Sequence, residues 1–277
     1  MDLAFQTTIA EPVSYSGVGL HSGKNVNMEL QPAEADTGII FVRVDLPGQP
    51  QVEAKAENVT STLRATTIED NGIKMFTIEH LMSALHGAGI DNIRICVDAE
   101  EPPVADGSSK AFYQLIQRAG IVQLDEPRQE MVIDQLYRVD DEDKFVLALP
   151  YDGFRVSFTS INPHPLIGIQ YGDYEINEKN YIEEIAPART IAYEKEIDAL
   201  HQMGLGLGGT LENVIVYNDE GWMNPLHYRD ELVRHKILDL VGDLRLAGIV
   251  KGHFVAVKSG HALNTTMSKL LKEKLGK

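Results

Sequence analysis

Residues 232–244, LVRHKILDLVGDL, carry two patterns at once. Val233, Ile237, Leu240, Val241 and Leu244 fall at i, i+4, i+7, i+8 and i+11, which is one stripe of an α-helix. His235, Asp239 and Asp243 fall at i, i+4 and i+8, so they stack one turn above another in a second, polar row. The stripe predicts a helix packed on a core. The polar row allows two readings. It can be a solvated face, the commoner reason for charges at this spacing. It can also hold an ion between side chains of successive turns.

The same order of elements occurs twice. Residues 77–121 begin TIEHLMSALHGAGIDNIRICV, and residues 231–276 begin ELVRHKILDLVGDLRLAGIVKGHFVAV. Each segment reads as an amphipathic helix, then AGI, a β-branched strand, a loop with Gly and Ser, and a second amphipathic helix. His80 and His235 stand near the start of the first helix of each pair. Such self-similarity points to a duplication. Strand-like runs precede each helix pair, VNMELQPAEADTGIIFVRV at 26–44 and KFVLALPYDGFRVSFTS at 144–160. Turn signals at Gly38, Gly48, Asn71-Gly72 and Asp152-Gly153 divide them. Strands followed by helices in each half predict an α+β protein of two similar domains, each a β-sheet packed on a helical layer. The expected ranges are 1–124 and 132–277. The polar stretch QLDEPRQEM supplies a linker at 125–131. The second half carries an insert at about 180–217: a short strand, a helix near 193–203, a Gly-rich turn and a strand at 213–217.

Composition narrows the classes. A chain of 277 residues suits two domains, each with a core of its own. Its net charge of −16 argues against a nucleic-acid surface. An anionic small substrate remains compatible if a few lysines gather at a pocket. No run approaches the ~18 apolar residues of a membrane span. The start, MDLAFQTTIAEPVSY, has no basic region or long apolar stretch, so no signal peptide is expected. The one cysteine, Cys96, rules out an intrachain disulfide and fits a reducing cytoplasm. It is expected to be a small buried hydrophobe.

Two glycine-rich stretches imitate nucleotide loops. GLGLGG at 204–209 matches G-x-G-x-x-G as text, but it follows a helix and leads into a strand, the reverse of the dinucleotide fingerprint. GVGLHSGKN at 17–25 has Val18 in place of the first glycine of a phosphate loop, and Asn25 where Ser or Thr would bind magnesium. Both readings are rejected. H-E-x-x-H is absent.

Three stretches hold the candidate chemistry: TIEHLMSAL, VRHKILDLVGD and KSGHALN. Zinc accepts imidazole nitrogen and carboxylate oxygen, and a catalytic zinc keeps one position for water. His80, His235 and Asp239 would make three ligands, the last two separated by one helical turn. Glu79, beside His80, could act as general base. His261, in a glycine-containing loop before the last helix, could act as acid, oriented by Asp243. On spacing alone, each residue also has a structural or solvated reading.

Longer matches go further. GVGLHSGK, ENVTSTLRATTI, TIEHLMSALHGAGIDN, EPPVADGSS, APART, GLGLGGTLEN, RHKILDLVGDL and KSGHALN run almost end to end. Together they resemble the UDP-3-O-acyl-N-acetylglucosamine deacetylases, zinc amidases that commit a sugar nucleotide to lipid A synthesis in Gram-negative bacteria. The resemblance implies that the helical layers of the two domains face each other and that each domain carries a small insert. It makes His80, His235 and Asp239 the ligands of zinc, with ferrous iron accepting the same set. It makes Glu79 the general base, His261 the general acid, Asp243 the partner of His261, and Thr190 the hydrogen-bond donor to the tetrahedral intermediate. Lys236 and Lys258 would hold the substrate diphosphate. Ile197, Leu200, Leu205, Gly208 and Gly209 would line the acyl passage, where glycines let an alkyl chain run close to the backbone. The implied partner is an acylated UDP-amino sugar, and a monomer is expected. Two positions depart from the family pattern. Ile191 replaces a common Phe after the ART threonine, and Asn162 replaces an aromatic residue before the His-Pro pair. Both remove a stacking face at the nucleotide end. The alternative is a zinc deacetylase acting on a different acylated sugar or nucleotide.

Overall fold

The computed structural model describes residues 4–276. Residues 1–3 and 277, at the ends of the two expected domain ranges, lie outside the described residues. The first sheet has the strand order Val13–Val18, Asn25–Pro32, Ile93–Val97, Ile39–Arg43, Gln51–Glu53. The second has the order Tyr137–Asp141, Lys144–Leu149, Ile249–Val257, Phe154–Ile161, Ile169–Glu175. In both, two hairpins flank one central strand. That strand is antiparallel to the first hairpin, with Leu30 opposite Ile95 and Leu147 opposite Val255. It is parallel to the second, with Phe41 beside Ile95 and Ser157 beside Val255. The duplication therefore extends to strand order and direction. Ile249–Val257 alternates half-buried and buried positions, the period of two that lets one face of a sheet cover a core.

The helices are α1 (Glu79–Ala88), α2 (Lys110–Ala119), α3 (Glu178–Asn180, continued by a π turn over Tyr181–Ile185), α4 (Glu194–Gln202), α5 (Glu231–Leu244) and α6 (His261–Leu275). α1 and α5, from opposite halves, pack on each other, with α2 beside α1 and α6 beside α5. The helical layers thus face each other. The α5 stripe is fully used: Val233, Ile237, Leu240, Val241 and Leu244 are at most 1% exposed. Burying each such side chain contributes roughly 1.5–3 kcal/mol before packing losses. The approach of α1 and α5 depends on Gly242, where a Cβ would lie 2.1 Å from the Glu79 carbonyl oxygen. Gly87 follows His80 at the same spacing as Gly242 follows His235, and a Cβ there would lie 2.2 Å from the Tyr181 ring.

Each half carries an insert. The first is a three-stranded antiparallel sheet of Val59–Ser61, Thr67–Asp70 and Ile73–Phe76. The second pairs Ile191–Tyr193 in parallel with Ile215–Tyr217, joined through α4. The expected strand, helix, turn and strand are therefore present. The boundary expected near 180 moves, because Tyr181 and Ile185 are wholly buried in the common core.

The segment read as a linker, 125–131, runs through two strands. Ile121–Pro127 pairs antiparallel with Phe5–Ile9, and Glu130–Val132 pairs parallel with the start of the central strand of the second sheet. Only Arg128 and Gln129 lie between, and Arg128 is fixed to Asp91 at 2.6 Å and to the Gly89 carbonyl at 2.6 Å. Polar side chains on a strand with one face to water resemble linker composition. Cys96 is half-buried rather than buried, on the outer alternation of Ile93–Val97.

Candidate active site

α5 offers His235, Asp239 and Asp243 as one row, and α1 brings Glu79 and His80 against it. All five are at most 4% exposed, which excludes the solvated-face reading. His80 Nε2 lies 3.8 Å and His235 Nε2 3.4 Å from Asp239 Oδ1. One ligand atom from each of the three residues can be chosen so that all lie within 4.8 Å of one another. Asp239 Oδ1 is buried without a hydrogen-bond partner. Such an atom is costly unless something compensates it, and a cation held with the two imidazoles would do so.

The donor chemistry fits a divalent metal. His235 Nδ1 lies 3.0 Å from the Ala188 carbonyl. A carbonyl only accepts, so Nδ1 carries the proton and Nε2 keeps its lone pair for the cluster. That carbonyl is steadied by its neighbour Arg189, which is buried and paired with Glu231 at 3.0 Å. Burial pushes His80 down to about 3, helped by His235, and pushes His235 down as well. Both are therefore neutral, the form that binds metals. Burial alone would raise the Asp239 carboxyl, but the positive charges beside it, Lys236 and His261 among them, outweigh it and hold it well below the usual carboxylate range.

A proton-handling pair sits beside the cluster. His261 is the first residue of α6 with Gly260 at its N-cap, and not part of a preceding loop. Its Nε2 is 3.7 Å from Glu79 Oε1, and its Nδ1 donates to Asp243 Oδ2 at 2.8 Å. Burial raises Glu79 to about 7, with His261 opposing and Asp243 and Asp239 adding to the rise. Burial alone would lower His261, but the carboxylates of Asp243 and Glu79 lift it to about 10. The result is a charged imidazolium next to a carboxylate poised near neutral pH, a pattern of acid–base sites.

Glu79, His80, His235, Asp239 and His261 line one cavity of about 640 Å³ with Thr190, Lys236 and Lys258, while Asp243 lies behind His261 and is not on the wall. Lys236 Nζ donates to Asp239 Oδ2 at 2.9 Å, and Lys258 pairs with Asp143. The rest of the wall includes Leu20, Ile197, Leu200, Val214, Val216 and Gly209. Ile191 is on the wall too. Asn162 is not; its Oδ1 accepts from the His164 N–H at 2.8 Å. Two expected lining residues are absent from the wall, Leu205 and Gly208. Gly208 donates its N–H to the Leu20 carbonyl at 3.0 Å, and a Cβ there would lie 2.1 Å from the Gly19 carbonyl oxygen. Leu205 donates its N–H to the Leu200 carbonyl just beyond α4. The two glycine-rich stretches that imitate nucleotide loops thus lie against each other, and glycine is needed for that backbone approach.

Sequence reasoning assigned no role to His21, Thr66, Glu101 or Asn264. His21 lines the cavity with its Nε2 buried and unpartnered. Its loop is held by the buried Glu101 carboxylate, which accepts from the His21 and Ser22 N–H groups and the Thr77 hydroxyl. Thr66 and Asn264 both donate to Asp243. Asn264 was within reach of the KSGHALN match, one turn along α6 from His261. Thr66 bonds to residues 13 and 177 positions away, a separation that leaves no local pattern.

A buried carboxylate and an imidazolium within reach of each other are a pattern found at acid–base catalytic sites, and part of the cavity wall beside them is apolar. Residues 6–273 match the family model described as LpxC: UDP-3-O-acyl N-acetylglycosamine deacetylase, and the chain belongs to that family. A relative from Campylobacter lari is 46% identical over 272 residues, covering 97% of this chain and 92% of its own. One from Geotalea uraniireducens is 43% identical over 265 residues, covering 95% and 86%. One from Campylobacter jejuni serotype O:6 is 44% identical over 273 residues, covering 97% and 92%. All three carry the name UDP-3-O-acyl-N-acetylglucosamine deacetylase. Among the described residues, no helix is long and apolar enough to cross a membrane.

Proposed function

We propose that the protein hydrolyses the 2-N-acetyl group of UDP-3-O-acyl-N-acetylglucosamine and releases acetate, the committed step of lipid A biosynthesis. The observation that carries this reading is one cavity holding an uncompensated metal-type donor set, an acid–base pair and an apolar wall. His80, His235 and Asp239 would hold zinc, and ferrous iron suits the same donors. Zinc bound there supplies a Lewis acid and lowers the pKa of a water towards ~7.

The chain's own groups do the rest. Glu79 Oε1 takes a proton from the attacking water, and the water oxygen bonds to the amide carbon. The Thr190 hydroxyl donates to the oxyanion that develops, and the charge of His261 adds to that stabilisation. The C–N bond breaks as His261 gives a proton to the departing amine. Lys236 and Lys258 hold the diphosphate, which reconciles an acidic protein with an anionic substrate. The acyl chain lies along Ile197, Leu200 and Gly209. The lone Cys96 suits a reducing cytoplasm.

Acetate release tests the substrate. Each buried methylene is worth ~0.8 kcal/mol, so about four of them favour the acylated nucleotide more than ~100-fold in kcat/KM over UDP-N-acetylglucosamine. Equal rates on the two, or acetate only from other acylated sugars, would turn the reading towards a different substrate.

The pH profile tests the acid. His261 acts while protonated, so its contribution is lost as pH rises through its pKa. Asp243 provides the largest upward push on that pKa. Asp243→Asn should therefore move the alkaline limb of kcat/KM to lower pH by about 1–3 pH units. An alkaline limb that stays in place would remove His261 from the role of acid.

A further inference from the structure

Thr66 is fully buried and is not part of the cavity wall. Nevertheless, its two donors end on the two carboxylates that flank His261. Its N–H donates to Glu79 Oε2 at 3.0 Å, and its hydroxyl donates to Asp243 Oδ1 at 2.5 Å. The other oxygen of each carboxylate faces the imidazole. Glu79 Oε1 is 3.7 Å from His261 Nε2, and Asp243 Oδ2 accepts from His261 Nδ1 at 2.8 Å and from Asn264 Nδ2 at 2.9 Å. The four residues come from four elements: Thr66 from the first insert, just before Thr67–Asp70, Glu79 from α1, Asp243 from α5 and His261 from α6.

We propose that Thr66 is a positioning residue for the deacetylation, fixing one oxygen of Glu79 and one of Asp243 so that the remaining oxygen of each serves the reaction. The inference rests on the roles given above to Glu79 and His261. A carboxylate has two basic oxygens, and a donor on one of them lowers the proton affinity of that oxygen. The Thr66 N–H thereby makes Oε1 the basic oxygen of Glu79. The hydroxyl bond to Asp243 is short and charge-assisted, the strong kind. It holds the Asp243 plane in place, so that Oδ2 meets His261. The first insert is in this way tied to the acid and the base together.

Thr66→Val keeps the shape and the backbone N–H but removes the hydroxyl. On the UDP-3-O-acyl-N-acetylglucosamine assay, kcat should fall about 10- to 100-fold, the effect of losing a hydrogen bond to a buried charge. KM and bound metal should stay at wild-type values, and Thr66→Ser should restore kcat. In an Asp243→Asn background the same Thr66→Val change should cost little, because the hydroxyl acts through that carboxylate. A merely structural residue would lose the same factor in both backgrounds. The proposal is overturned by an unchanged kcat in Thr66→Val, by an equal loss in both backgrounds, or by loss of metal from the variant. If Thr66→Val does not fold, Thr66→Cys, which keeps the volume with only a weak donor, is carried through the same cycle with the same criteria. A wild type that releases no acetate defeats the functional reading, whereas an active wild type with an indifferent variant defeats this inference alone.

Discussion

Glu79→Ala should lower kcat by about 10²- to 10⁴-fold, the range for loss of a general base, while bound metal stays at the wild-type level. Both halves of this expectation follow from position. The Glu79 carboxylate is not one of the three convergent ligands. Its Oε2 is occupied by the Thr66 N–H, and its Oε1 looks towards His261. Burial holds it near 7, where it can take a proton from water and pass it on. The backbone contact of Glu79 with Gly242 survives truncation of the side chain, so α1 and α5 should keep their approach. Glu79→Gln is the companion variant: it preserves volume and one acceptor but cannot take the proton, and it should be as slow as the alanine. The assay is acetate release with element-specific metal analysis on the same sample. Normal turnover in either variant would remove Glu79 from the role of base. Loss of metal would make it a ligand instead.

Asp239→Ala should lose metal and activity together. Asp239 supplies the only negative charge among the three candidate ligands, and its Oδ1 is the buried atom with no other partner. Removing it leaves two neutral imidazoles and frees the Lys236 ammonium, held at 2.9 Å from Asp239 Oδ2, to repel a cation. Metal affinity should fall by more than the ~10–100-fold typical of an outer-shell partner. Asp239→Asn, which keeps the shape without the charge, separates electrostatics from packing. It should also bind metal poorly, with thermal stability closer to that of the wild type. Full occupancy in either variant would mean that the ligand set is wrong.

The α5 stripe was legible because a period of 3.6 leaves few alternatives when apolar residues hold it for three turns. The duplication was legible because helix, AGI, strand and helix recur in order, and the two sheets repeat each other's strand order. The polar row on α5 was not decidable from spacing. Whether it meets water depends on α1 covering it, a contact between residues such as Glu79 and Gly242 that lie far apart in the chain. The family resemblance supplied the ligand assignment that spacing left open. The segment 123–131 misled because a strand with one face to water uses the same polar residues as a tether. Gly260 before His261 suggests a loop, although a glycine can equally cap a helix that starts at the next residue. The resemblance puts Leu205 and Gly208 on the passage wall, but neither lines the cavity, and Gly208 instead meets the 19–23 loop. Thr66 stands inside the ENVTSTLRATTI match, but its partners lie 13 and 177 positions away, so spacing gives it no role.

The central claim is a metal-dependent deacetylation at the His80, His235 and Asp239 cluster. Its most direct test is metal content and acetate release from UDP-3-O-acyl-N-acetylglucosamine, measured on the same preparations of wild type and Asp239→Ala. About one metal ion per chain, with acetate released by the wild type and both lost in the variant, is the expected result. Acetate released at an undiminished rate by metal-free protein, or metal retained in full by the variant, would contradict it.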